Sequence, residues 1–162
     1  MKYVMRQRVF CLGDDFAIKD EAGQDRYVVD GAAFSIRQST SFRDMAGHEL
    51  CHIRRRLLSF GPTYEIERAG RVTTVAKHLF TLFRCKFTVD VPGPNDLEAS
   101  GNFTDHEYEF TDAAGDVMAT VSKRWFRWTD TYGVEVADGQ DDVLILAATV
   151  VIDLCCHADR DR

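Results

Sequence analysis

Only 3 prolines interrupt 162 residues, and no glycine-, serine- or proline-rich stretch divides them. The chain therefore reads as one domain over 1–158 with a polar tail at 159–162. Residues 1–8 contain no apolar core of the kind a secretory signal needs. The 5 cysteines are an odd number without framework spacing, which points to free thiols in a reducing cytoplasm. Neither a glycine-rich phosphate loop nor a serine nucleophile elbow is present. These absences argue against an enzyme and against a bound cofactor.

Charge of one sign is scarce in places and crowded in others. Lys and Arg number 20 against 26 Asp and Glu, a net charge of −6. Residues 1–49 carry 7 basic and 8 acidic side chains, residues 50–90 carry 8 and 3, and residues 91–162 carry 5 and 15. Bulk acidity disfavours a nucleic-acid partner, because phosphate neutralisation needs a broad positive surface. The middle third, at +5, retains the charge to face an anion locally.

What the chain does have is a period. Gly23, Gly47, Gly70, Gly93, Gly115 and Gly139 stand 24, 23, 23, 22 and 24 residues apart. Four of them end a common pattern: Phe16 to Gly23, Phe42 to Gly47, Tyr64 to Gly70 and Tyr108 to Gly115. An aromatic start, an acidic residue and then Ala-Gly reads as strand, tight turn, strand, with glycine supplying positive φ and Asp bracing it. The period predicts six hairpins and about twelve short strands. These fall near 3–9, 15–20, 25–30, 40–45, 48–57, 63–67, 71–78, 83–91, 97–103, 106–112, 116–124 and 131–138.

The one long apolar run closes the chain. From Val143 to Cys156, 12 of 14 residues are apolar, with Asp141 and Asp142 where carboxylates suit a helix N-terminus. A helix apolar on every side is either enclosed by protein or spans a bilayer. At a rise of about 1.5 Å per residue it reaches roughly 21 Å, short of the roughly 30 Å bilayer core, and Asp153 would sit in lipid. No transmembrane span is expected. Strands of about six residues have the same height, and a barrel of about twelve leaves room for a helix inside.

These residues resemble the LURP-one-related family, within the tubby C-terminal-like barrels, over nearly the whole chain. The resemblance runs through Met5 to Phe10, Phe16 to Gly23, Phe87 to Gly93, Gly101 to Tyr108, Ser122 to Val134 and the Asp142 to Asp153 helix. It implies a mainly β fold, a twelve-stranded closed antiparallel barrel around a C-terminal helix. Tubby domains bind phosphatidylinositol bisphosphate, and phospholipid scramblases are a further branch of the same barrel. No tubby phosphoinositide ligand maps residue by residue onto this sequence, and the scramblases' palmitoylated cysteine cluster has no counterpart in it.

Two candidate sites remain. His48-Glu49-Leu50-Cys51-His52 satisfies H-E-x-x-H, which on a helix would hold zinc for hydrolysis. It starts one residue after Gly47, where each repeat turns back as a strand, and there the two histidines stand about 13 Å apart. A packed or solvated strand is the simpler reading. The second candidate is basic: Arg54 and Arg56 on one strand face, joined by Lys77, Arg84 and Lys86 from following strands. Alternation places Arg55 on the apolar side, as a buried group with its needs met. Asp130 reads as an Asx turn, and Asp153 as a rim carboxylate held by backbone N–H or an arginine. His78, His106 and His157 show no ligand spacing, and Cys155 and Cys156 read as helix fillers.

The leading functional reading is a binding module for an anionic ligand such as a phospholipid or phosphoinositide headgroup. It would be cytoplasmic and peripheral to the inner membrane face. The alternatives are a protein-interaction scaffold without a small ligand and, more remotely, the zinc hydrolase.

Overall fold

The turns set the architecture. In a computed structural model, which describes residues 1–6, 16–30, 38–81, 84–125 and 131–160, three of the repeat turns are built alike. Asp20 Oδ1 accepts the N–H groups of Ala22 and Gln24, Asp44 Oδ1 those of Ala46 and His48, and Asp112 Oδ1 those of Ala114 and Asp116. The glycine in each stands at φ 77°, 88° or 90° and donates to the Asp carbonyl. A register shift sits beside each turn, as expected where an extra left-handed residue bulges one strand of a hairpin. Gly70 differs. Ala69 (φ 49°) and Gly70 (φ 74°) form a two-residue turn with Arg68 opposite Arg71. The apparent single pattern is thus two turn types.

Twelve strands follow: β1 (Lys2–Arg6), β2 (Phe16–Asp20), β3 (Asp25–Val29), β4 (Ser39–Asp44), β5 (Glu49–Arg55), β6 (Thr63–Arg68), β7 (Arg71–Thr81), β8 (Arg84–Asp90), β9 (Leu97–Asn102), β10 (Glu107–Asp112), β11 (Val117–Ser122) and β12 (Thr131–Val136). Each pairs antiparallel with its sequence neighbours. β1 also pairs with β12, Met5 opposite Tyr132, so the sheet closes into a barrel. Gly139 is not in a hairpin. It joins β12 to α1 (Asp142–Arg160), and β12 finds its second neighbour at the start of the chain.

Because the strands alternate in direction, all six periodic glycines lie at one end of the barrel, called here the glycine end. α1 enters there. Asp141 accepts the Leu144 N–H and takes Arg68 Nη1 at 2.8 and 2.7 Å, while the Tyr3 hydroxyl donates to Asp142 Oδ2 at 2.5 Å. From Ile145 to Cys155 every residue of α1 is buried, in one core with the inward strand residues such as Phe42, Ile53, Phe87 and Phe110. Thr149 meets its need within the helix by donating to the Ile145 carbonyl. Enclosure rather than one-sided packing explains an apolar helix without a polar face. Among the described residues no helix is long and apolar enough to cross a membrane.

Asp153 lies on α1 away from the glycine end, but it is buried, and among the described residues its partners are neither a backbone N–H nor an arginine. It is 5% exposed, accepts the Tyr132 hydroxyl, and has His106 Nδ1 3.2 Å away but off the hydrogen-bond line. His106 stacks flat on Tyr132, ring centroids 4.4 Å apart. A carboxylate that deep needs partners, and side chains from β12 and the β9–β10 connection supply them.

Candidate functional site

The opposite end of the barrel carries the arginines. β5 alternates as far as its ladder with β6 lasts: Ile53 opposite Ile66, Arg54 opposite Glu65, Arg55 opposite Tyr64. The ladder then stops at Arg55, two residues short of the predicted end at 57, yet Arg56 still shares the outer face with Arg54, both guanidinium groups lying against Glu65. Glu65, its side chain only 17% exposed, takes Arg54 Nε at 2.6 Å and lies 3.9 Å from Arg56 Nε. Arg54 is therefore held against the outer wall by a carboxylate.

Beyond the ladder the chain makes a braced loop, residues 56–62. The Arg55 N–H donates to the Gln38 carbonyl, the Arg56 N–H to Thr63 and the Lys77 N–H to Pro62. The Ser59 hydroxyl lies 2.9 Å from the Gly61 carbonyl, and Gly61 stands at φ 93°. Between this loop and Gln38 is an open recess of about 400 Å³ lined, among the described residues, by Arg55, Arg56, Leu57, Ser59 and Pro62 and by no carboxylate. At the loop's tip Leu57, Leu58 and Phe60 are 79%, 93% and 109% exposed.

The five predicted ligand residues do not form one cluster. Lys77 stands opposite Phe87, which is wholly buried, so it belongs to the inner side of the ladder and contributes its backbone to the loop. Lys86 stands opposite His78 on the outer side, its ammonium 2.5 Å from Glu98. Arg84 is in register with Thr81, and its side chain lies outside the described residues. Arg55, expected to be buried, is half-exposed and lines the recess instead. Asp130 lies outside the described residues, as does the side chain of His157.

His48-Glu49-Leu50-Cys51-His52 is a turn followed by a strand. His48 Nδ1 is 3.0 Å from Asp44 Oδ2, and His52 Nδ1 is 3.5 Å from Glu49 Oε2, whose carboxylate also takes the Ser41 hydroxyl. The His48 backbone N–H, then its ring, hold the Asp44 carboxyl below its ordinary range. Burial pushes the Cys51 thiol up to about 12, leaving no thiolate for nucleophilic work at neutral pH. Among the described residues no group of three or more metal-ligating side chains converges. A smaller recess, about 130 Å³ at the glycine end, has the Arg68–Asp141 pair in its lining.

The two ends also differ in charge. Segments 21–24, 45–48, 69–70, 91–96, 113–116 and 137–141 carry Glu21, Asp96, Asp116, Asp138 and Asp141 and no lysine or arginine. The stretch from Arg54 to Pro62 carries three arginines and no carboxylate.

Comparison with known proteins places this geometry. The family model described as LURP-one-related matches residues 1–153. The uncharacterized protein YxjI of Bacillus subtilis (strain 168) is 31% identical over 158 residues, covering 98% of this chain and 95% of that protein. An X-ray structure of a protein from Arabidopsis thaliana superposes with a TM-score of 0.64 at 15% identity, covering 99% of this chain and 92% of that one.

Proposed function

This chain belongs to the LURP-one-related family, and on that barrel we propose a non-enzymatic binding module that takes an anionic, phosphate-bearing ligand, a phospholipid headgroup, at the arginine end. The observation that carries the reading is the recess lined by Arg55 and Arg56 and, among the described residues, by no carboxylate. Guanidinium forks match phosphate oxygens in geometry and charge. Arg54, gripped by Glu65, adds field rather than a free fork. A protein working this way acts at the inner face of the cytoplasmic membrane as a peripheral component, its acidic glycine end turned away from the lipid.

Vesicle sedimentation tests it. The protein binds phosphatidylcholine vesicles containing phosphatidylserine and not phosphatidylcholine alone. R55E/R56E weakens that binding by about thirtyfold, from about 1 kcal/mol for each basic residue removed. Soluble glycerophosphoserine in excess separates a headgroup site from a membrane requirement by whether it competes. Unchanged affinity in the double variant sinks the reading.

A further inference from the structure

The braced loop ends in three apolar side chains that contribute nothing to the core. Leu57, Leu58 and Phe60 are the three most exposed large hydrophobic residues described, and Leu57 also lines the recess. Directly beneath them stand Arg54, Arg55 and Arg56, and no Asp or Glu occurs from Arg54 to Thr63. Resting on the headgroup reading above, we infer that this tip is a wedge that enters the acyl region of an anionic bilayer while the arginines meet its phosphate plane.

Three observations support the commitment to a bilayer. The vertical order, apolar tip over basic collar, matches the layering of an anionic membrane, whereas a soluble anion would use the arginines and leave the tip in water. The loop is preorganised: the Arg56-to-Thr63 and Lys77-to-Pro62 hydrogen bonds, with the Ser59 hydroxyl at the Gly61 carbonyl, hold its shape. Insertion then costs little ordering entropy. Charge favours the same orientation, since an anionic surface attracts the three arginines of the Arg54–Thr63 stretch and repels Glu21, Asp96, Asp116 and Asp138 in the far turns, where Asp141 is paired with Arg68. Neither signal alone gives stable attachment. Peripheral binding commonly needs an apolar anchor together with a basic cluster.

The experiment uses the full chain and vesicles of phosphatidylcholine with phosphatidylserine. In wild type and F60W, tryptophan emission is followed with lipids brominated along the acyl chain, and the wild-type signal from Trp125 and Trp128 is subtracted. The wedge predicts quenching specific to F60W and at least about a tenfold loss of vesicle binding in L58S/F60S. Circular dichroism and melting temperature confirm that the fold is intact. If L58S/F60S binds as wild type while R55E/R56E does not, the wedge is overturned and the headgroup reading stands. If wild type binds neutral vesicles equally and L58S/F60S loses that binding, the wedge stands and the headgroup reading falls. If wild type binds neither vesicle, both fall. A concentration-dependent dimer that L58S/F60S converts to monomer, with vesicle binding unaffected, overturns the wedge by showing that a second copy covers the tip.

Discussion

The glycine end and the arginine end are made from the same strands but obey different rules. At the glycine end the described hairpin connections run from two to six residues, and in three of them an Asp side chain binds the backbone of its own turn. Its polar groups are consumed in making the fold. At the arginine end the 56–62 loop is braced by backbone and by Ser59, while its arginines and apolar tip are left facing outward. In this barrel, regularity marks structure, and departure from it marks the surface free to recognise something.

That contrast assumes both ends hang on one core, which the buried Asp153 tests most severely. Asp153→Ala leaves the Tyr132 hydroxyl and His106 facing an apolar barrel without their partner. It should cost about 3 kcal/mol in urea unfolding. An unchanged midpoint would show that α1 is held from the glycine end alone. A second measurement compares the ends by pH. Burial first, then the Asp153 charge, raises the Tyr108 and Tyr132 phenols well above 10.0. These groups stay protonated in the fold after the unfolded chain has begun to release protons. Stability is therefore full below about pH 10 and falls above it, by about 1.4 kcal/mol per pH unit for each such phenol. Tyr3 at the glycine end is raised in the same way, by burial and then by Asp142. Tyr132→Phe and Tyr3→Phe should therefore each flatten the alkaline decline of the melting temperature by a similar amount, and an effect at one end alone would show that the other end opens first. The smallest effect is the sharpest contrast. A Cβ on Gly47 meets nothing within 4 Å, so Gly47→Ala carries only the strain of φ 88°, about 1–2 kcal/mol. Leu58→Ser should change unfolding by less than about 0.5 kcal/mol. Equal costs at the two positions would erase the distinction.

The fold was legible because its signals are local. Glycine spacing marks the turns at one end, β-branched alternation marks the strands between, and the Val143–Cys156 run has the right length to be enclosed. The turn chemistry was half legible: Asp20, Asp44 and Asp112 announce one turn type, whereas Ala69 in a left-handed conformation has no sequence mark. The site was less legible because it depends on where a ladder stops. Extending β5 to 57 keeps Arg54 and Arg56 on one face, and both lie against Glu65, but the pairing ends at Arg55, and it is Arg55, read as buried, that joins Arg56 in the recess. Lys77 could have been set apart from the sequence, since it shares its face with Thr73 and Val75. Leu57, Leu58 and Phe60 were visible as apolar residues against Gly61-Pro62, with no strand to bury them. The partners of Asp153 were not visible, because Tyr132 and His106 lie 21 and 47 positions away and nothing local points to them.

The closure of β1 on β12 has a consequence for how the protein is made. The ribosome releases β1 before the ten strands that follow it, and its partner strand, residues 131–136, only after all of them. Until then the nascent sheet has two raw edges and no helix to wrap. Cylinder and filling must therefore come together only once β12 and α1 have emerged, and every earlier intermediate is an open ribbon exposed to pairing with its neighbours.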